Sequence, residues 1–195
     1  MHGQIKMRLP LGKSTVLQML CECLSQQTHT LVLSFNGRAS KSEKEQLTVL
    51  PDPPHYQGLG PLAGIVSTLS WMQLEQPSHQ WLLSVPGDTP FIPHDLANTL
   101  YKSAQRTHME HLLYYTQCQK RGHYLTGLWN IRALPILKKY IDDGQRSVKG
   151  LLKLLHAQAV TFTGSTISAR PEDTFLNINT PEDYQLAQKL LQPEP

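Results

Sequence analysis

WLLSVPGDTPFIP, residues 81–93, is the stretch that decides the fold. Trp81 to Val85 form a continuous apolar run that Pro86, Gly87 and Asp88 stop, and a short run between turn residues reads as a strand buried on both faces. Upstream, residues 61–72 follow two glycines and resume helical spacing. The pair is therefore a helix feeding a strand. Further back, Val16, Leu17, Met19, Leu20, Cys23 and Leu24 recur at helical spacing, which predicts a helix over residues 14–26 behind a Ser/Thr cap. Residues 31–34 and 47–50 are short apolar runs read as buried parallel strands, the second halted by Pro51, Asp52, Pro53 and Pro54.

The same alternation continues downstream. Residues 95–105, 131–141, 147–156 and 181–191 have helical spacing, and residues 112–116, 160–162 and 175–178 read as strands. Strands alternating with helices imply a mostly parallel sheet covered on both faces. In such sheets ligands bind outside the carboxyl ends of the strands, which directs attention to the loops after Leu33, Leu50, Val85 and Ile178.

The 195 residues suit one domain, residues 1–195, large enough to bury a core. An apolar share of 39% and a charged share of 17% are ordinary for a globular chain, and the 14 prolines are spread as loop punctuation. A formal charge of +3 without blocks of like charge gives no basis for nucleic-acid binding. Cys21, Cys23 and Cys118 are odd in number and not spaced as CxxC, which reads as thiols in a reducing compartment. The amino-terminal segment has no signal-peptide pattern and no apolar run approaches bilayer length, so a soluble, cytoplasmic protein without membrane association is expected.

Three segments carry chemistry. Asp88 stands at a strand's carboxyl end, where it either caps the turn or holds a divalent cation; Mg²⁺ suits one or two carboxylates completed by substrate phosphates. GLGPLAG, residues 58–64, opens a helix with glycines that let backbone N–H groups approach an anionic or planar ligand, although tight strand-to-helix turns use the same residues. FLNINTPEDY, residues 175–184, places Asn177 and Asn179 two apart in an extended segment, on one side, before a helix start at Thr180 and Pro181. GKS at residues 12–14 lacks the earlier glycine of a P-loop, Met7 standing in its place, and reads as a loop leading to a helix cap.

GPLAG, PGDTPFIP, GLW at residues 127–129, GQRSVKGLL and LNINTPEDY follow one another in an order and at distances that resemble the molybdenum cofactor guanylyltransferases. The resemblance spans essentially the whole chain. It implies a Rossmann-like, GT-A-like three-layer nucleotidyltransferase fold, transfer of GMP from GTP to Mo-molybdopterin with release of pyrophosphate, and Mg²⁺ as cofactor. It further implies that Asp88 binds the metal and acts catalytically with Lys6. Lys6, Asp52, Gly60, Pro61, Leu62, Asp88, Asn177 and Asn179 would contact the substrates, while Arg146 and Lys149 either meet the molybdopterin phosphate or lie on a solvated helix face. Its implied partners are GTP, Mo-molybdopterin and molybdoenzyme maturation proteins.

The family signature LAGGxSxRMGxDK is met only from its tail: Gly3 and Gln4 match, Ile5 replaces the aspartate, and Lys6 matches the lysine. The signature's first strand and its glycine-rich nest are not found, and that strand belongs between the strands at Leu31 and Trp81. Two other readings accompany the first: a cytidylyltransferase making the cytosine form of the cofactor, and an inactive relative that binds molybdopterin or a partner enzyme.

Overall fold

The computed structural model describes residues 5–163 and 173–192. The chain opens with a single 3₁₀ turn, Lys6–Arg8, and a small hairpin of β1 (Pro10–Leu11) and β2 (Ser14–Thr15). Thr15 then caps α1 (Val16–Ser25) in a reciprocal box with Gln18, which answers two of the helix's orphan N–H groups. GKS is thus the hairpin turn that delivers this cap.

β3 (Val32–Ser34) and β4 (Thr48–Leu50) pair in parallel, joined through α2 (Lys41–Gln46). α3 (Pro61–Glu75) leads to β5 (Trp81–Ser84), followed by α4 (Leu96–Arg106), β6 (Leu113–Cys118) and β7 (Arg121–Asn130). A further 3₁₀ turn, Ile131–Ala133, precedes α5 (Leu134–Asp142), and α6 (Val148–Leu151), β8 (Gln158–Phe162) and α7 (Pro181–Leu190) complete the order. No helix among the described residues is long and apolar enough to cross a membrane.

The expectation of a mostly parallel sheet is corrected here. The larger sheet has the order β5-β7-β6-β8, in which β7 is antiparallel to both neighbours and only β6 and β8 run parallel. β7 escaped the sequence reading because its hairpin turn with β6 is made by Gln119 and Lys120, both at positive φ of 47° and 65°, where the usual signal is Asn-Gly. Two further expectations need revision. Residues 175–178 form no strand: Phe175, at a positive φ of 64°, and Ile178 donate backbone bonds to Phe91 and Asp88, and the segment lies along that loop as irregular coil. Helix over residues 147–156 is confined to α6. And α2 went unread, although Ser40 and Glu43 spell the capping box that starts it.

Successive residues of the sheet alternate between two cores. Tyr114 and Leu128 join α1, α4 and α7 on one face; Leu113 and Trp129 join α3, α5 and α6 on the other. This is a three-layer α/β arrangement. Gly127 of the GLW segment is required by packing: a Cβ there would lie 2.7 Å from the carbonyl oxygen of Tyr114 on the neighbouring strand. Gly127→Val is accordingly expected to destabilise the protein by about 1–3 kcal/mol through forced separation of β6 and β7. A thermal melt within experimental error of the parent's would show that the ladder relaxes freely.

Candidate active site

The carboxyl ends of β3, β4 and β5 open into one cleft of about 1380 Å³, whose rim holds Lys6, Asn36, Asp52, Gly60, Pro61 and Asp88. Lys6 reaches it from the first 3₁₀ turn, which is pinned by the burial of Met7. Its Nζ donates to Asn179 Oδ1 at 2.5 Å and lies 3.4 Å from Asp88 Oδ2. Three segments distant in sequence therefore meet at one ammonium group. The side chains of Lys6 and Asp88 are 30% and 23% exposed, open enough to exchange partners with a ligand.

Each member is held by its own neighbours. The Asp88 carbonyl accepts the Ile178 N–H at 2.9 Å, docking the asparagine segment onto the loop after β5. Asp183 Oδ2 accepts the N–H groups of Asn179 at 2.9 Å and Thr180 at 2.8 Å, while Thr180 Oγ1 accepts from Asp183. Partial burial works against the charge of Asp183, but those N–H bonds and nearby Lys6 leave its carboxyl below the usual carboxylate range. The TPED box thus caps α7 and orients Asn179 together.

On the opposite rim Asp52 is buried and locked to Asn36: Asn36 Nδ2 donates to Asp52 Oδ2 at 2.6 Å, and the Asp52 N–H donates to Asn36 Oδ1 at 2.7 Å. Asn36 escaped the sequence reading, its only signal being an amide just past the strand LVLS. Gly60, the residue that caps α3, has φ of 86°, a left-handed conformation that lets the chain turn sharply into the helix. Pro61 follows in the first turn, at the rim.

Three expected site residues are placed differently. Leu62 is fully buried in the core beneath α3, so its side chain is unavailable to a ligand. Asn177 and Asn179 do not share one side: Asn179 is exposed, whereas Asn177 Oδ1 is buried without a hydrogen-bond partner. The segment is coil and not a pleated strand, so alternation does not apply. Arg146 donates to the carbonyls of Ile141 and Gln145 at 2.7 Å and closes the end of α5, while Lys149 is exposed on α6.

The turn carrying Lys6 is fastened from its other end by Arg8. Its guanidinium grips Glu43 in two bonds of 2.8 and 2.7 Å, donates to the Arg38 carbonyl at 2.8 Å, and stacks 5.3 Å from the centre of the Phe35 ring. These bonds, with the cap to Ser40, hold the Glu43 carboxyl at about 2, although burial works against the charge.

Comparison with known proteins adds the following. The model of the MobA-like NTP transferase domain matches residues 1–160. The chain is 32% identical to a molybdenum cofactor guanylyltransferase of Mesorhizobium japonicum over 194 residues, covering 98% of this chain and 90% of that protein. The crystal structure of molybdopterin-guanine dinucleotide biosynthesis protein A from Archaeoglobus fulgidus superposes with a TM-score of 0.70 at 20% identity, over 96% of this chain and 91% of that one. The manganese complex of Rv0371c from Mycobacterium tuberculosis superposes with a TM-score of 0.65 at 16% identity, over 96% of this chain and 93% of that one.

A pH titration of stability tests the Arg8 clamp. The folded carboxyl of Glu43 titrates at about 2, against about 4.3 in an unfolded chain. Its contribution is complete above the higher value and is lost as pH falls toward the lower one. Arg8→Met is expected to lower stability at neutral pH and to flatten the loss between those values; an unchanged acid profile would show that the pair contributes nothing.

Proposed function

The chain belongs to the MobA-like NTP transferase family, whose members are nucleotidyltransferases, and from that premise we propose that it transfers GMP from GTP to the terminal phosphate of Mo-molybdopterin, releasing pyrophosphate. The observation that carries this reading is the meeting of Lys6, Asp88 and Asn179 beside a cleft whose other rim is Asp52 and the Gly60–Pro61 turn. In the transfer a phosphate oxygen of molybdopterin forms a bond to the α phosphorus of GTP as the bond from that phosphorus to the bridging oxygen breaks. The pyrophosphate leaves with the bond's electron pair.

The donor set fits Mg²⁺. Asp88 is a single part-exposed carboxylate, and the described residues hold no cluster of three or more His, Cys, Asp or Glu placed to cage a metal. Such a site leaves most positions for water and phosphate oxygens, which is how Mg²⁺ is usually bound. Held by Asp88, the ion would supply positive charge where the leaving group gains negative charge. Lys6 neutralises the phosphates from the other side, exchanging its bond to Asn179 for one to the nucleotide. The N–H groups at the start of α3 meet the guanine side of the nucleotide, aided by the helix's positive end. Asn36 fixes Asp52 as a rigid acceptor at that rim. Asn179, exposed at the end of its segment, meets the molybdopterin side.

The direct test is purified chain with Mg²⁺, labelled GTP or CTP, and Mo-molybdopterin. Label from GTP should enter the dinucleotide; preference for CTP would reassign the base, and no transfer from either would leave a binding protein without catalysis. Asp88→Asn is expected to lower turnover at least about a hundredfold with an unchanged melt. Turnover near the parent's would remove Asp88 from the metal site. For Asn179→Ala, calorimetry should find molybdopterin affinity reduced more than GTP affinity, and equal losses would count against its placement.

A further inference from the structure

Met19 and Cys23 stand one turn apart on α1, and side chains four positions apart on a helix lie on one face. Facing them is the segment that follows Asp88, from Pro90 to His94. Between the two lies a small cleft of about 200 Å³, whose lining includes Met19, Glu22, Cys23, Pro90, Ile92 and His94. A thioether, a thiol and an imidazole therefore share one opening. None of the three lines the cleft of the candidate active site.

The sulfur and the imidazole are already placed as two ligands of one ion. His94 Nδ1 lies 3.5 Å from Cys23 Sγ. Metal–thiolate and metal–imidazole bonds of about 2.3 and about 2.0 Å span about 3.5 Å at a tetrahedral angle, so an ion seated between them requires little movement of either group. Gln27 holds both sides of the cleft. Its Nε2 donates to Cys23 Sγ at 3.3 Å, to the Cys23 carbonyl at 3.2 Å and to the Pro93 carbonyl at 3.1 Å, while its Oε1 accepts the Ala97 N–H at 3.0 Å. Partners of this kind orient a metal ligand from behind. The thiol's own proton is less well served, since the carbonyls of Ile92 and Pro93 lie 4.0 Å from the sulfur. Burial pushes the Cys23 thiol up, and the Gln27 bond works the other way. A cation in the proton's place would satisfy a sulfur that is buried and already accepts an N–H. Cys23 is buried, Met19 half-buried and His94 exposed, so the cleft is open to solvent past the imidazole.

We propose that Met19, Cys23 and His94 form a binding site for a soft monovalent cation, Cu(I). Thiolate and thioether sulfurs select soft ions, whereas hard cations such as Mg²⁺ take oxygen ligands. On binding, a copper–sulfur bond forms as the S–H bond breaks; the proton passes to water, copper remains Cu(I) and no electron is transferred. Glu22, exposed at the mouth, adds negative charge without being needed as a ligand. The ion joins α1 to the segment that leads away from Asp88. Its binding needs neither nucleotide nor Mg²⁺ and stands apart from the catalytic reading.

The test titrates the full chain anaerobically, without nucleotide, with Cu(I) kept reduced by ascorbate and buffered by bathocuproine disulfonate. Ag(I) serves as the redox-silent copy, and stoichiometry, affinity and melting temperature are read. One equivalent is expected to bind and to raise the melting temperature, and Cys23→Ser to abolish both effects. Met19→Leu and His94→Gln are expected to melt like the parent without copper and to bind it at least about tenfold more weakly. Cys21→Ser, whose thiol lines the other cleft, is expected to bind as the parent does. Parent-like affinity in Met19→Leu and His94→Gln would overturn the proposal, because a thiol would then be binding copper alone. So would an equal loss in Cys21→Ser, or displacement of Ag(I) by an equal concentration of Zn²⁺. Since Cys23 is buried, the Met19 and His94 variants decide the case if Cys23→Ser lowers the melt by itself.

Discussion

β7 is the constraint from which the rest of the sheet follows. Its residues 127–130 pair with β5 along one edge and most of its length pairs with β6 along the other, both antiparallel, so it fixes the distance between the strand that leads into the Asp88 loop and the strands that carry the far half of the molecule. The indole N–H of Trp129 donates to Ser84 Oγ at 2.7 Å, and that hydroxyl donates to the Leu125 carbonyl at 2.6 Å. The end of β5 is thus tied by side chains as well as by the ladder. A loop fixed so close to its strand can present a carboxylate with little conformational freedom left to lose on binding.

The groups proposed to act on the substrates are assembled across the chain. Lys6 and Asn179 lie 173 positions apart in sequence and are brought to hydrogen-bond distance because the segments that carry them both dock on the loop after β5, through Met7 against Gly87 and through the Ile178 N–H on the Asp88 carbonyl. Backbone bonds from residues 175–178 to residues 88–91, the Asp183 cap and the Arg8–Glu43 pair act as three independent fasteners. Positioning of this kind accounts for a large part of phosphoryl and nucleotidyl transfer, where the protein's work is orientation and charge more than covalent chemistry.

The cleft between β3 and β5 joins the sheet's architecture to that site. The cleft runs from β3 and β5 up to the rim formed by Asp52 and Asp88. α3 spans both halves and its first turn belongs to the rim, which couples the packing of the halves to the geometry of the Gly60 turn.

The local residues settled a good deal. The apolar runs ending at Ser34, Leu50 and Ser84 and the capped helices at Thr15 and Thr180 depend on neighbours in sequence, and their bounds in the structure lie within a few residues of the expected ones. Asp52, Gly60 and Asp88 were legible because proline and glycine mark strand ends whatever the tertiary context. β7 was not legible, since its turn uses Gln119 and Lys120 in a conformation that only the pairing of β6 and β7 stabilises. Nor were the partners of the site residues: Asn36 on Asp52, Asp183 on Asn179, Glu43 on Arg8. Those contacts depend on which elements pack together, and the same packing buried the side chain of Leu62, turned Asn177 inward and spent Arg146 on the end of α5. Sequence by itself determined where strands end and which acids stand there; the tertiary structure decided which of them face one another, because proximity across a sheet is set by strand order and layer packing, which no local spacing encodes.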